Sequence, residues 1–235
     1  MALQDQLLAA VGDRRGLDAA DQLCLACVML FNVDAAAISA VYDGTNMGTV
    51  GVSGALARKY DELQFTFGEG PCLDAVERRV PVMAVDLAHP DELRWPAFRP
   101  AIVAQAIRSV YAAPVVVAGE YVGALDLFRI LPGDWHADTS AGALVAAQLA
   151  TVPFMDLIAE DTVAAISDPA SDAWTELSQF ARAEVSQATG MLVAQLDISP
   201  SQALVRLRAH AYASGRSATE VARDIIEHRL RLDAD

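Results

Sequence analysis

Two of the chain's three cysteines, Cys24 and Cys27, stand in a C-x-x-C pair. That spacing serves thiol exchange or supplies half of a zinc site. No second C-x-x-C and no histidine pair completes a metal set, because His89, His136, His210 and His228 are scattered. The pair also falls on an apolar helical stripe with Leu23, Val28 and Phe31, so small buried core residues are the favoured reading. Cys72 follows Gly70-Pro71 at a predicted helix start, where the helix dipole favours a thiolate. A core or pocket-wall cysteine is again the favoured reading. Asp86 and Asp126 end or interrupt predicted strands and are given turn and capping roles. No catalytic set is visible, and neither cofactor nor metal is expected.

The remaining chemistry lies in arginines, which are unevenly placed. Net charge is −14 over 235 residues, which argues against general nucleic-acid binding. Residues 1–170 hold 10 basic and 22 acidic residues (−12), and residues 171–235 hold 7 and 9 (−2). Between Arg206 and Arg231 six arginines face only Glu220, Asp224 and Glu227, a local +3. Repulsion from the acidic half suppresses unspecific binding, while an arginine-lined face retains planar, bidentate contacts to phosphate and base edges. A solvated helix face is the plainer reading of the same arginines.

The elements that must position these residues follow from pattern. Hydrophobic residues make up 54% of the chain, ample for a core. No basic segment leads into an apolar block at the N-terminus and no apolar run looks long enough to span a bilayer, so a cytoplasmic protein without a membrane partner is expected. Leu17–Phe31 reads as an amphipathic helix, and Ala36–Tyr42 and Gly48–Ser53 as strands about a DGTN turn. Ser53–Leu63 has helical character, Gln64–Phe67 reads as a short strand closed by GEGP, and Leu73–Arg78 as a short helix. Val80–Val85 is a strand and Phe98–Ala106 a helix. Ser109–Val117 and Tyr121–Arg129 form a hairpin, before a helix from near Thr139 that Pro153 should kink or split. The order implies an α+β layer domain, an antiparallel sheet with flanking helices. Phe65, Phe67, Met83, Tyr111 and Phe128 are candidates to line a small-molecule pocket.

Three helices close the chain. Apolar residues at Trp174, Leu177, Ala181, Val185, Ala188, Leu192 and Leu196 make one stripe along about 23 residues, suited to pairing with a second copy. Ser199, Pro200 and Gln202 write a capped start for the second helix and Gly215 its stop; Ser217 and Glu220 start the third.

These patterns resemble two known families. GEGPCLDAV (Gly68–Val76), VPVMAVDL (Val80–Leu87), RWPAF (Arg94–Phe98), SVYAAPVVV and YVGALDLFR resemble GAF sensors of the actinobacterial type. Arg182, Ala188-x-Gly190 followed by Met191-Leu192, Ala203, Leu207-Arg208, Ala211 and Val221-Ala222 resemble the ANTAR domain of bacterial transcription antiterminators, a three-helix module. The resemblance implies an N-terminal segment (1–16), a GAF-like sensor (17–152), a helical linker (153–173) and an ANTAR-like domain (174–235). It implies binding to paired RNA stem-loops in nascent transcripts, control by an unidentified small molecule, and a homodimer. The candidate RNA contacts are Arg182, Thr189, Gly190, Arg206, Arg208, His210, Tyr212 and Arg216. Thr189 and Ser217 stand where the family commonly has lysine, and Gly215 where it has asparagine. Two lost cations lower the salt dependence by roughly one counterion each. A DNA-binding regulator with a GAF sensor and a GAF-fold cysteine redox enzyme are the alternatives.

Overall fold

Five short strands, rich in β-branched and small residues, pair into one antiparallel sheet of order β2-β1-β5-β4-β3. They are β1 (Ala35–Tyr42), β2 (Thr45–Val52), β3 (Val82–Ala84), β4 (Ser109–Val117) and β5 (Glu120–Arg129). The computed structural model describes residues 2–42, 44–157 and 182–233. The β4–β5 hairpin turns at Ala118-Gly119, both at positive φ (50° and 89°), with Val117 opposite Glu120.

The sheet buries both faces. Ala36, Ile38, Tyr111, Leu125 and Leu127 point to a layer formed by α1 (Leu3–Val11), α2 (Gly16–Phe31), α6 (Ala137–Leu149) and α7 (Thr151–Leu157). Ala37, Val110, Ala112 and Phe128 point to α3 (Ala55–Phe67), α4 (Pro71–Arg78) and α5 (Phe98–Val103). Contact between α2 and β2 is close: a Cβ at Gly51 would stand 2.6 Å from the Ala20 backbone, so only glycine fits. Pro153 lies in the first turn of α7, where its missing N–H has no intrahelical carbonyl to reach. The helix is therefore split at Ala150, ahead of the proline.

Two expectations are corrected. Gln64–Phe67 is no strand but the last turn of α3, which ends at Gly68 with φ 66°. The alternation of Phe65 and Phe67 imitates a strand; in fact Leu63, Gln64, Phe65 and Thr66 are all buried because the helix is covered on more than one side. Taken together across the turn at Ala150, the 21 residues Ala137–Leu157, with an 18-residue stretch of mean hydropathy 1.3, are also long and apolar enough to cross a membrane. Of these, Ala143, Ala146, Ala147, Ala150 and Phe154 instead belong to the core under the sheet.

The tail forms a bundle of α8 (Ala183–Leu196), α9 (Pro200–Ser214) and α10 (Ala218–Ile226). Both expected capping boxes form: Ser199 accepts from the Gln202 amide and Ser217 from the Glu220 amide. Gly215 closes α9 at φ 65°. Val185, Ala188, Leu192, Ala203, Leu207, Ala211, Val221, Ala222 and Ile225 make its core, and Phe65 of α3 is buried among them. Trp174, Leu177, Ala181 and the linker lie outside the described residues.

Candidate functional site

Helix α3 joins the sheet domain to the tail, and the joint is built from charge and hydrogen bonds around Phe65. Asp61, fully buried, accepts four hydrogen bonds. Oδ1 receives Ser39 Oγ (2.5 Å) and Asn46 Nδ2 (2.6 Å); Oδ2 receives Thr49 Oγ1 and Arg182 Nη2, the latter at 2.6 Å. The other terminal nitrogen of Arg182 pairs with Glu62. Its guanidinium also lies 4.3 Å from the Phe65 ring centroid, and that of Arg208 lies 4.5 Å from the same ring. Among the described residues Arg208 has no carboxylate partner. Burial, with Arg182 beside it, pulls its pKa down to about 10, so it stays charged at neutral pH.

The start of α10 is capped from the sheet domain. Its first two amides, Ala218 and Thr219, donate to Thr66 Oγ1 (3.1 Å) and Glu62 Oε1 (3.2 Å), and Ser217 serves the third at Glu220 (3.1 Å). A helix N-terminus leaves these donors free and carries partial positive charge, so the Glu62 carboxylate both satisfies and stabilises it. Tyr212 adds an edge-to-face contact with Phe67, ring centroids 5.7 Å apart.

A family model for the GAF domain matches residues 17–152, well over half the chain, and one for the ANTAR domain matches residues 180–226. The chain belongs to the GAF family and ends in an ANTAR domain. The fold agrees with solved GAF domains. That of a phosphoenolpyruvate-protein phosphotransferase from Coxiella burnetii has a TM-score of 0.54 at 19% identity, over 68% of this chain and 94% of that one. The GAF domain of the Acinetobacter phosphoenolpyruvate-protein phosphotransferase gives 0.51 at 11% identity, over 66% and 92%. Comparison with curated proteins returns no match.

The eight candidate RNA contacts of the ANTAR domain divide into two groups. Arg182, Arg208 and Tyr212 face the GAF domain at the joint. Thr189, Gly190, Arg206, His210 and Arg216 make no such contact in the hydrogen bonds, ion pairs and ring contacts described. Thr189 donates to the Val185 carbonyl of its own helix at 2.7 Å. Gly190 is exposed, and a Cβ there would meet nothing within 4 Å, so its smallness serves no packing within the described residues. Arg206 donates to the Asp233 carbonyl (2.9 Å), and Arg216 pairs with Asp224 (2.7 Å).

The five pocket candidates do not meet in one cavity. Tyr111 lies under the α2 and α6 layer beside Trp135, while Phe128 stacks on Tyr60 across the sheet at 3.9 Å. Phe65 belongs to the ANTAR core, Phe67 to the joint, and Met83 is 45% exposed. Strand alternation sends Tyr111 and Phe128 to opposite faces, and the helical course of α3 separates Phe65 from Phe67.

Sequence reasoning missed Asp61, Glu62, Gln64 and Thr66, and took Asp126 for a turn or cap. Asp126 is fully buried in mid-strand, receives Gln64 Nε2 at 2.9 Å, and leaves Oδ1 without a partner among the described residues. Burial pushes its carboxyl well above the ordinary range. Asp86 is a turn residue as expected, accepting from Ala88 and pairing with Arg108 at 2.9 Å. All three cysteines are free and buried, and burial raises each thiol, that of Cys27 to about 12. Among the described residues no cluster of His, Cys, Asp and Glu could hold a metal.

Proposed function

We propose that this protein is a cytoplasmic, homodimeric regulator that binds paired stem-loop RNA in nascent transcripts through its ANTAR domain and causes antitermination under control of its GAF domain. One observation carries the reading: two arginines of the ANTAR match, Arg182 and Arg208, are held on Phe65 of the sensor. A guanidinium stacked on that ring, or paired with Asp61 and Glu62, is not free for phosphate or an unstacked base. RNA binding therefore competes with docking, and a signal that shifts one equilibrium shifts the other. The same geometry disfavours a helix-turn-helix reading, because the start of α10, which would have to enter a DNA groove, is capped by Glu62 and Thr66.

The test is binding to a tandem stem-loop RNA with matched duplex DNA as competitor. The parent chain binds the RNA selectively. Glu62→Ala, which removes a partner of Arg182 and the cap on Thr219, tightens binding about tenfold, equivalent to about 1.4 kcal/mol. Arg208→Ala weakens it although it also loosens the joint. Preference for the duplex, or no RNA binding by either the parent or Glu62→Ala, would sink the reading.

A further inference from the structure

In the helical layer under the sheet, α1, α2 and α7 enclose a cavity of about 340 Å³, within the size range of small-molecule sites. Leu8, Leu23, Leu149 and Val152 make its apolar wall, and Gly12 to Arg15, the joint between α1 and α2, form its mouth. Leu8 and Val152 are 47% and 49% exposed, apolar area that a ligand would cover. Arg15 is already paired with Asp156 of α7 at 3.1 Å, and the same carboxylate accepts from the Gly16 amide at 3.1 Å. Asp13 and Arg14 are differently placed: both are exposed, both line the cavity, and neither makes an ion pair among the described residues. Arg14 donates from Nη1 to the Val11 carbonyl at 3.1 Å, which holds the guanidinium beside the end of α1 while leaving its charge unanswered. Val11 and Gly12, the last residue and the cap of α1, also line the cavity, so the helix brings its partially negative carbonyl end to the mouth. The mouth thus offers one acid, one guanidinium and a helix carbonyl end above an apolar floor.

We propose that this cavity binds a large apolar α-amino acid as its zwitterion. The ligand's ammonium donates to the Asp13 carboxylate near the end of α1, and its carboxylate accepts from the Arg14 guanidinium. Its side chain fills the space between Leu8, Leu23, Leu149 and Val152. A ligand with one head group only is served less well, because a lone carboxylate lies against Asp13 and a lone amine against Arg14. Occupancy joins three elements, and α7 is the last of them before residues 158–181 lead to the ANTAR domain. Binding therefore steadies α7 against α2. The site does not depend on the RNA reading.

The experiment titrates isotope-labelled full-length protein with leucine, followed by NMR, with 4-methylpentanoate, 3-methylbutylamine and glycine as controls. Leucine gives saturable shifts at the backbone amides of Gly12, Asp13, Arg14 and Val152, and slows hydrogen exchange at the Phe154 and Met155 amides of α7. The carboxylate-only and amine-only controls bind at least fivefold more weakly, and glycine, which has the head without the body, gives no saturable shift. Asp13→Asn weakens leucine at least fivefold and leaves 4-methylpentanoate no weaker; Arg14→Gln weakens leucine as much and leaves 3-methylbutylamine no weaker. Both side chains are exposed, so neither change threatens the fold. Val152→Trp, at a half-exposed position, fills the cavity and weakens leucine at least tenfold. Shifts elsewhere or none, controls that bind as tightly as leucine, variants without effect, or α7 amides that exchange as before would overturn the site.

Discussion

Two carboxylates, Asp61 at the joint and Asp126 in the sheet, are equally buried and oppositely served. Asp61 accepts four hydrogen bonds, one of them charge-assisted, from Arg182 of the ANTAR domain. Asp126 accepts one, from Gln64, and keeps an unpartnered oxygen. Both answer to α3, which carries Asp61 and Gln64 one turn apart. The difference shows what each does. Asp61 is satisfied only when the tail is docked, so its desolvation is tied to the position of the ANTAR domain. Asp126 has no partner in the tail among the described residues, and burial raises its carboxyl pKa well above the ordinary range.

The largest effect on this contrast is expected from Phe65→Ala. The ring is 4% exposed, lies in the ANTAR core and carries both guanidinium contacts. Its loss costs about 3–5 kcal/mol, the usual range for a buried Phe→Ala change. That loss falls on the joint, so hydrogen exchange at the Ala218 and Thr219 amides should accelerate while amides of β1 and β5 stay protected. Equal acceleration in β1 and β5 would mean that joint and sheet unfold as one unit, and the contrast would fail.

Next come the two carboxylates themselves. Asp61→Asn removes one partner of a buried ion pair while Glu62 still holds Arg182, so the loss should be about 2–3 kcal/mol, below that of an outright orphaned charge. Asp126→Asn replaces a group disfavoured as an anion and should change stability at pH 8 by less than ~1 kcal/mol, or raise it. The pH dependence separates them further. The folded carboxyl of Asp126 is raised above its unfolded value of 3.8, chiefly by burial. Its stabilising contribution is complete below that value and lost as pH rises through the folded pKa. Stability from this group therefore falls as pH rises from 3.8 through the raised folded pKa, with Asp21, also raised by burial, adding the same sign. Denaturant melts of Asp126→Asn should show a flatter profile than the parent; an unchanged slope would place the titration elsewhere.

What the sequence made legible was local. Ser199 with Gln202, and Ser217 with Glu220, announce helix starts because capping is decided within four residues. The β4–β5 hairpin is equally local, resting on alternation about Ala118-Gly119. The joint was not legible. Arg182 meets Asp61 across 121 residues of chain, and no spacing rule reaches that far. Leu63 to Thr66 are four consecutive buried residues, which erases the helical period that marks a one-sided helix. Asp126 in a strand reads as an interruption until Gln64 is seen above it. The arginines of the tail were found by type and spacing, but that three of the eight contacts face the sensor is a tertiary fact.

The smallest effect should come from the cysteines, and it bears on whether burial or local dipole decides. Cys72 sits in the first turn of α4, where the helix dipole stabilises a thiolate by about 0.3–1 kcal/mol. Its surroundings oppose this: the side chain is fully buried, and desolvation, with Asp126 and Asp61 adding to it, raises the thiol well above its usual 9.0. Burying an uncompensated charge costs several kcal/mol, so desolvation wins. Iodoacetamide at pH 8 should leave the native chain unlabelled and modify three thiols after denaturation. Replacing Cys24, Cys27 and Cys72 with alanine should alter RNA affinity less than twofold, since none belongs to the joint. Rapid native labelling of Cys72 alone would show that the α4 turn opens to solvent, and would revive a thiol chemistry that its burial otherwise forbids.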